Sequence, residues 1–192
     1  MEYSAQENAL RSVAAIEFSS IGRGYQAQDT LLKAANVTLL LARTICSGKY
    51  LVVFAGLASD VEAALEAGVK AGEEAVIDTT YTANVHEAVA AALGQSVVLE
   101  SERVGAFGVV EGFCSAGILG AANLAAKAAN VTLLRIHLAM AMGGKGLILM
   151  VGSMSDVESG VAVAAEEMRS KGMLVSAVVI SNPSPELLSD YL

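Results

Sequence analysis

The sequence predicts an α/β (α+β) chain built from two tandem ferredoxin-like βαββαβ units, and three observations carry that prediction. Lys33-Ala-Ala-Asn-Val-Thr-Leu-Leu40 recurs unchanged as Lys127-Ala-Ala-Asn-Val-Thr-Leu-Leu134, an offset of 94 (127 against 33). Ser59-Asp-Val-Glu62 recurs as Ser155-Asp-Val-Glu158 at an offset of 96 (155 against 59), so two residues are gained between the matched blocks. Within each copy, short β-branched apolar runs and alanine-rich stretches follow in the same order.

Each copy opens on an apolar run, Val13–Phe18 or Val104–Val110, that reads as a buried strand. An alanine-rich helix follows, over Tyr25–Ala35 and Ile118–Ala129, and leads into a second strand over Val37–Thr44 and Val131–Ala139. Gly48-Lys49 and Gly143-Gly144-Lys145 then reverse the chain into a third strand, Tyr50–Ala55 and Gly146–Val151. The repeated Ser-Asp-Val-Glu reads as a capping box, in which Ser59 or Ser155 accepts from a free amide and Glu62 or Glu158 reaches back. The second helix runs to Gly72 and to Lys171-Gly172, where glycine suits a helix end. A fourth strand, Ala75–Thr80 and Leu174–Ile180, and a short helix, His86–Leu93 and Ser184–Leu192, complete each unit. The expected organisation is a first domain at 12–93, a linker at 94–103 and a second domain at 104–187.

Hydrophobic residues make up 54% of the 192 and charged residues only 17%, with a mean hydropathy of +0.55. Two small cores hide that much apolar surface poorly, so extensive subunit contacts are expected. The longest uncharged stretch, Gly112–Ala126, is 15 residues and is diluted by glycine, alanine and Asn123, short of the ~18 apolar residues a spanning helix needs. Glu2 and Glu7 precede any apolar run, which argues against a secretory signal, and the chain is expected to be soluble and cytoplasmic, with no membrane partner. Twenty acidic against 12 basic residues, a net charge of −8 without a Lys/Arg cluster, argue against nucleic acid.

Cys46 and Cys114 are too far apart for a CxxC site and too few for a disulfide scaffold. Cys114 reads as a buried structural thiol at the turn after the first strand of the second copy. His86 and His137 have no acidic or cysteine neighbour at ligand spacing. No nucleophile, base and acid constellation emerges, so an enzyme is not expected. Met142-Gly-Gly-Lys145 joins two strands and opens no helix, which makes it a hairpin turn and not a phosphate loop. Lys33 and Lys127 close the first helix of each copy, where a cation favours the dipole's negative end.

A βαββαβ unit with Lys-Ala-Ala-Asn-Val after its first helix and a glycine turn between its second and third strands resembles the bacterial microcompartment shell domain. The tandem copy resembles the trimeric shell proteins, and the final strand stays last in each half, unlike permuted members. Arg43-Thr-Ile-Cys-Ser-Gly-Lys49 and Arg135–Lys145 look most like the propanediol-utilisation type, with Ser47 where proline is expected. The resemblance spans residues 12–187 and implies a pseudohexameric homotrimer that tiles with other shell proteins in a microcompartment shell.

It further implies an axial pore lined by Ile45, Cys46, Ser47, Gly48, Met142, Gly143 and Gly144. Cys46 from each of three chains would ligate one 4Fe-4S cluster per trimer, easily lost in air, and an enclosed redox enzyme would be the electron-transfer partner. Lys33, Asn36, Lys127 and Asn130 would form the assembly edge, and Lys49 could offset the charge of the thiolates. The alternatives are a pore for a small metabolite without a cluster, and a regulatory module that binds a small molecule.

Overall fold

The computed structural model describes residues 12–99, 104–140 and 142–191. The sequence before residue 12 and residues 100–103 of the expected linker lie outside the described residues. The chain divides into two compact units, one comprising the residues up to Val85 with Met140–Gly144, the other His86–Ala139 with Lys145–Leu192.

In the first unit, β1 (Ser12–Phe18), α1 (Ile21–Ala34), β2 (Thr38–Ile45), β3 (Lys49–Gly56), α2 (Ala58–Gly72) and β4 (Val76–Thr82) follow in order. The strands form one antiparallel sheet ordered β2-β3-β1-β4. Strand alternation sends Ala14, Ile16 and Phe18 of β1 and Val52 and Phe54 of β3 to one face, where Ala27, Leu31, Val61 and Ala64 of the two helices close the core. Ser20 accepts from the Arg23 amide at 3.4 Å, which starts α1 four residues before the predicted Tyr25. The helices lie close because two positions have no side chain. A Cβ at Gly24 would sit 2.6 Å from the Tyr50 side chain, and one at Gly68 would sit 2.7 Å from Ile16.

The second unit opens with α3 (Glu87–Leu93) and continues through β5 (Ala106–Gly112), α4 (Ser115–Ala128), β6 (Thr132–Leu138), β7 (Gly146–Gly152), α5 (Met154–Ser170) and β8 (Leu174–Ser181). A short α6 (Pro185–Leu188) and a final 3-10 turn (Ser189–Tyr191) end it. The sheet order, β6-β7-β5-β8, repeats that of the first unit. On the sheet face opposite the helices, Phe107, Leu134, Leu149 and Val151 pack with Leu188 and Tyr191, joined by the half-buried Val97 and Leu99. The Leu99 amide donates to the Tyr191 carbonyl at 2.6 Å.

Two details depart from the sequence expectation. Helix α3, expected to close the first domain, packs instead on β6 and α4 of the second unit. The His86 amide at its start donates to the buried Asn123 Oδ1 at 2.9 Å. The capping boxes at Ser59 and Ser155 do not form, because the helices begin one residue before these serines. Ser153 caps α5, accepting from the Asp156 amide at 3.2 Å, while α2 starts at Ala58, its cap position Leu57 offering no side-chain hydrogen bond. Among the described residues, no helix is long and apolar enough to cross a membrane.

Candidate functional site

The β2–β3 connection is the three-residue 3-10 turn Cys46–Gly48. Ser47 (φ 67°) and Gly48 (φ 71°) are both left-handed, a conformation free for glycine and costly for serine, which is why the chain reverses so tightly here. Ile45 is buried, Cys46 half-buried, and Ser47 and Gly48 exposed. The corresponding β6–β7 connection is longer and also uses left-handed residues, Ala139, Gly143 and Gly144.

Part of that second connection belongs to the first unit and meets the first turn there. Ser47 Oγ donates to the Gly143 carbonyl at 3.3 Å. A Cβ added at Gly144 would lie 3.3 Å from Ser47 Oγ and 3.6 Å from the Cys46 carbonyl oxygen. The two glycine turns assigned to one site from sequence are therefore brought together, with half-buried Met142 at the start of the second.

Each turn is followed by a lysine that pairs with a carboxylate of the first strand in its sheet. Lys49 Nζ lies 2.8 Å from Glu17 Oε1, and the Glu17 side chain is fully buried. In the second unit Lys145 Nζ lies 2.7 Å from Glu111 Oε1, and Ser176 Oγ donates to Glu111 Oε2 at 3.2 Å. The hydrogen bond from Lys145 holds the Glu111 carboxyl below its ordinary pKa, outweighing the desolvation that pushes it up. The expected role of Lys49 is thereby revised: its charge is matched by Glu17, so it is no free counter-charge for three thiolates. The carboxylates were the missed residues, although Glu17 and Glu111 share the repeat offset inside apolar strands.

The four residues of the expected assembly edge lie at the C-terminal ends of α1 and α4, not at the turns. Lys33 and Lys127 are exposed in the last helical turns, and Asn36 and Asn130 are exposed just beyond. Lys33 Nζ pairs with Asp29 Oδ2 on its own helix at 2.6 Å, a solvent-exposed contact of little energetic weight. The Asn130 amide donates to Asp156 Oδ1 at 3.4 Å.

Cys114 is fully buried at the start of α4. His86 is a helix cap, its Nδ1 accepting from the Ala88 amide at 3.2 Å, and His137 is half-buried. Among the described residues no three His, Cys, Asp or Glu side chains gather as a metal site. One chain therefore offers a single half-buried thiol at an accessible turn. That donor suits an iron-sulfur cluster only where several chains contribute, since such clusters take about four ligands.

The BMC domain family model matches residues 12–85 and again 106–183. The chain belongs to the BMC domain family. It carries two BMC domains in tandem, each a βαββαβ unit around a four-stranded sheet. It is 37% identical over 173 residues to the bacterial microcompartment shell protein PduT of Citrobacter freundii, an alignment covering 90% of this chain and 93% of that protein. The crystal structure of a microcompartments protein from Desulfitobacterium hafniense DCB superimposes with a TM-score of 0.81 at 36% identity, over 94% of this chain and 99% of that one. The fused permuted hexameric shell protein MSM0275 from the RMM microcompartment shares the fold, with a TM-score of 0.61 at 20% identity over 88% and 90% of the two chains. The protein is thus a structural shell component of a bacterial microcompartment with tandem BMC domains. Shell proteins of this family are not enzymes, and they assemble with one another and with other shell proteins.

Proposed function

We propose that three copies of this chain close into a pseudohexameric trimer whose axis passes the two glycine turns, and that the turns line a pore through the shell. The observation that carries this reading is the meeting of the turns, where Ser47 holds the Gly143 carbonyl and the Gly144 backbone comes close to Ser47 and Cys46. A ring of backbone groups and small side chains is the material from which narrow protein pores are built.

At such an axis Cys46 from each of three chains would converge, supplying three thiolates to one 4Fe-4S cluster. A cluster held this way supplies one-electron transfer when bound. The chain's own part is to hold the thiol on a tight left-handed turn, braced by the Lys49–Glu17 pair, and to keep the opening too small for larger cofactors. Electrons could then pass between an enclosed redox enzyme and the exterior without an open channel. Lys33, Asn36, Lys127 and Asn130, exposed at two equivalent corners, would form the edge that meets neighbouring tiles. The stem of each lysine would pack along the seam.

Anaerobic purification followed by iron and sulfide analysis tests the cluster. Wild-type protein should carry both, and Cys46→Ser should lose both while the fold and assembly persist, since the turn adds little to either core. Iron and sulfide retained in full by the serine variant would remove Cys46 as the ligand. Their absence from anaerobic wild-type protein would leave a pore for a small solute.

A further inference from the structure

The two connections that meet at the candidate site are unequal. The first passes from β2 to β3 in the three residues Cys46–Gly48, whereas the second spans residues 139–145 between β6 and β7. Both ends of the short turn are anchored in its sheet, Ile45 by burial and Lys49 by its pair with Glu17. Its middle is strained. Ser47 has φ 67° and ψ 23°, and Gly48 follows at φ 71°. Glycine takes that conformation freely, but a serine in it is opposed by its own Cβ. Proline, expected at this position from sequence, does not fit the turn, because its ring holds φ at about −65°.

The contact that holds Ser47 there comes from outside the turn. Its hydroxyl donates to the Gly143 carbonyl at 3.3 Å. Gly144 completes the contact: a Cβ there would lie 3.3 Å from Ser47 Oγ, 3.6 Å from the Cys46 carbonyl oxygen and 3.6 Å from Lys49 Nζ. The short turn thus fills the space that a side chain at Gly144 would need. At Gly48 and Gly143, by contrast, an added Cβ would meet nothing within 4 Å. Met140–Gly144 belongs with the first unit for this reason, although it joins two strands of the second.

We infer that the Ser47 hydroxyl is a positioning group for Cys46: its bond to the Gly143 carbonyl clasps the short turn to the long one, limits solvent access to the adjacent thiol, and slows the loss of a cluster bound there. Cys46 directly precedes Ser47 and is half-buried, so its exposure follows the backbone of the turn. Without the bond the strained middle relaxes toward ordinary negative φ, and Gly48 offers no resistance. The ends stay anchored, so the change is confined to the turn and leaves both cores intact. Slower cluster loss rests on the function proposed above; restricted access to the thiol does not.

Alkylation of cluster-free, full-length protein by iodoacetamide tests the clasp, with modification assigned by mass to Cys46 and with the fully buried Cys114 as the internal reference. Ser47→Ala and Ser47→Gly both remove the hydroxyl, and Cys46 should react about threefold faster or more, the scale set by losing one ordinary hydrogen bond. Ser47→Asn keeps a side-chain donor and tolerates the left-handed backbone, so it should restore the wild-type rate. Gly144→Ala presses on Ser47 from the other side and should also speed the reaction, while Ser47→Ala combined with Gly144→Ala should react no faster than either alone. Denaturation midpoints should match the wild type in the Ser47 variants. In anaerobically loaded protein exposed to air, the iron-sulfur absorbance should fade faster in Ser47→Ala and Ser47→Gly and at the wild-type rate in Ser47→Asn. Equal alkylation rates in the wild type, Ser47→Ala and Ser47→Gly, or a faster rate that Ser47→Asn does not restore, would overturn the role of Ser47. Wild-type protein that never binds iron would overturn the cluster reading alone, and faster alkylation in the same variants would still uphold the clasp.

Discussion

Helices α1 and α4 begin from the same place in the repeat and end in the same Lys-Ala-Ala-Asn-Val, yet they solve different problems. Helix α1 carries Arg23, Gln26, Asp29 and Lys33 on its outer side and buries three residues. Helix α4 reads Ser-Ala-Gly-Ile-Leu-Gly-Ala-Ala-Asn-Leu-Ala-Ala-Lys-Ala and buries eleven of its fourteen. A helix packed on one side can be amphipathic, but one enclosed on several sides must be small and apolar almost throughout. The position of Asp29 shows the exchange most clearly. In the first unit it is an exposed partner for Lys33; its equivalent, Asn123, is a buried acceptor for the His86 amide at the start of α3. One repeat has thus diverged into a helix enclosed by neighbours within the chain and a helix that keeps most of its surface exposed.

That comparison can be broken at paired positions. The largest effect is expected at Gly22 and Ala116, which are equivalent at offset 94. Ala116 is fully buried, so Ala116→Leu should overpack the second unit and cost about 1–3 kcal/mol. A side chain at Gly22 meets nothing within 4 Å, and Gly22→Leu should be neutral or gain up to about 1 kcal/mol from helix propensity. Chemical denaturation of both variants measures the difference; equal costs would mean that the two helices are covered alike.

A smaller effect is expected at Asn123 and Asp29. Asn123→Ala leaves the half-buried His86 amide without its acceptor and should cost about 1–2 kcal/mol. Asp29→Ala removes only an exposed pair and should change stability by less than about 0.5 kcal/mol. Hydrogen exchange sharpens the test, since only Asn123→Ala should deprotect the first amides of α3.

Most of the architecture was legible because it rests on local signals repeated twice. The recurrence of Lys-Ala-Ala-Asn-Val-Thr-Leu-Leu placed the helix-to-strand junctions, and the Gly-Lys turns placed the hairpins, each within a few residues of the observed ends. What stayed hidden depends on partners distant in sequence. His86–Leu93 has the same local pattern wherever it docks, so nothing in it announced Asn123 as its anchor. Ser59 and Ser155 sit in a good capping motif, but the helices start earlier because Leu57 and Ser153 already have the extended backbone of a cap. At the candidate site, the residue types of both turns were legible from glycine and cysteine. The contact between the turns joins residues 96 positions apart, and the pairing of Lys49 with Glu17 crosses two strands, beyond the reach of any local pattern.

The central claim is a trimer that gathers one Cys46 from each chain into a shared site. Native mass spectrometry on anaerobically prepared protein measures both parts at once. The account expects a species of three 19.6 kDa chains with the added mass of one 4Fe-4S cluster, an increment that disappears in Cys46→Ser while the three chains stay together. A single-chain species, or three chains that never carry the increment, would contradict it.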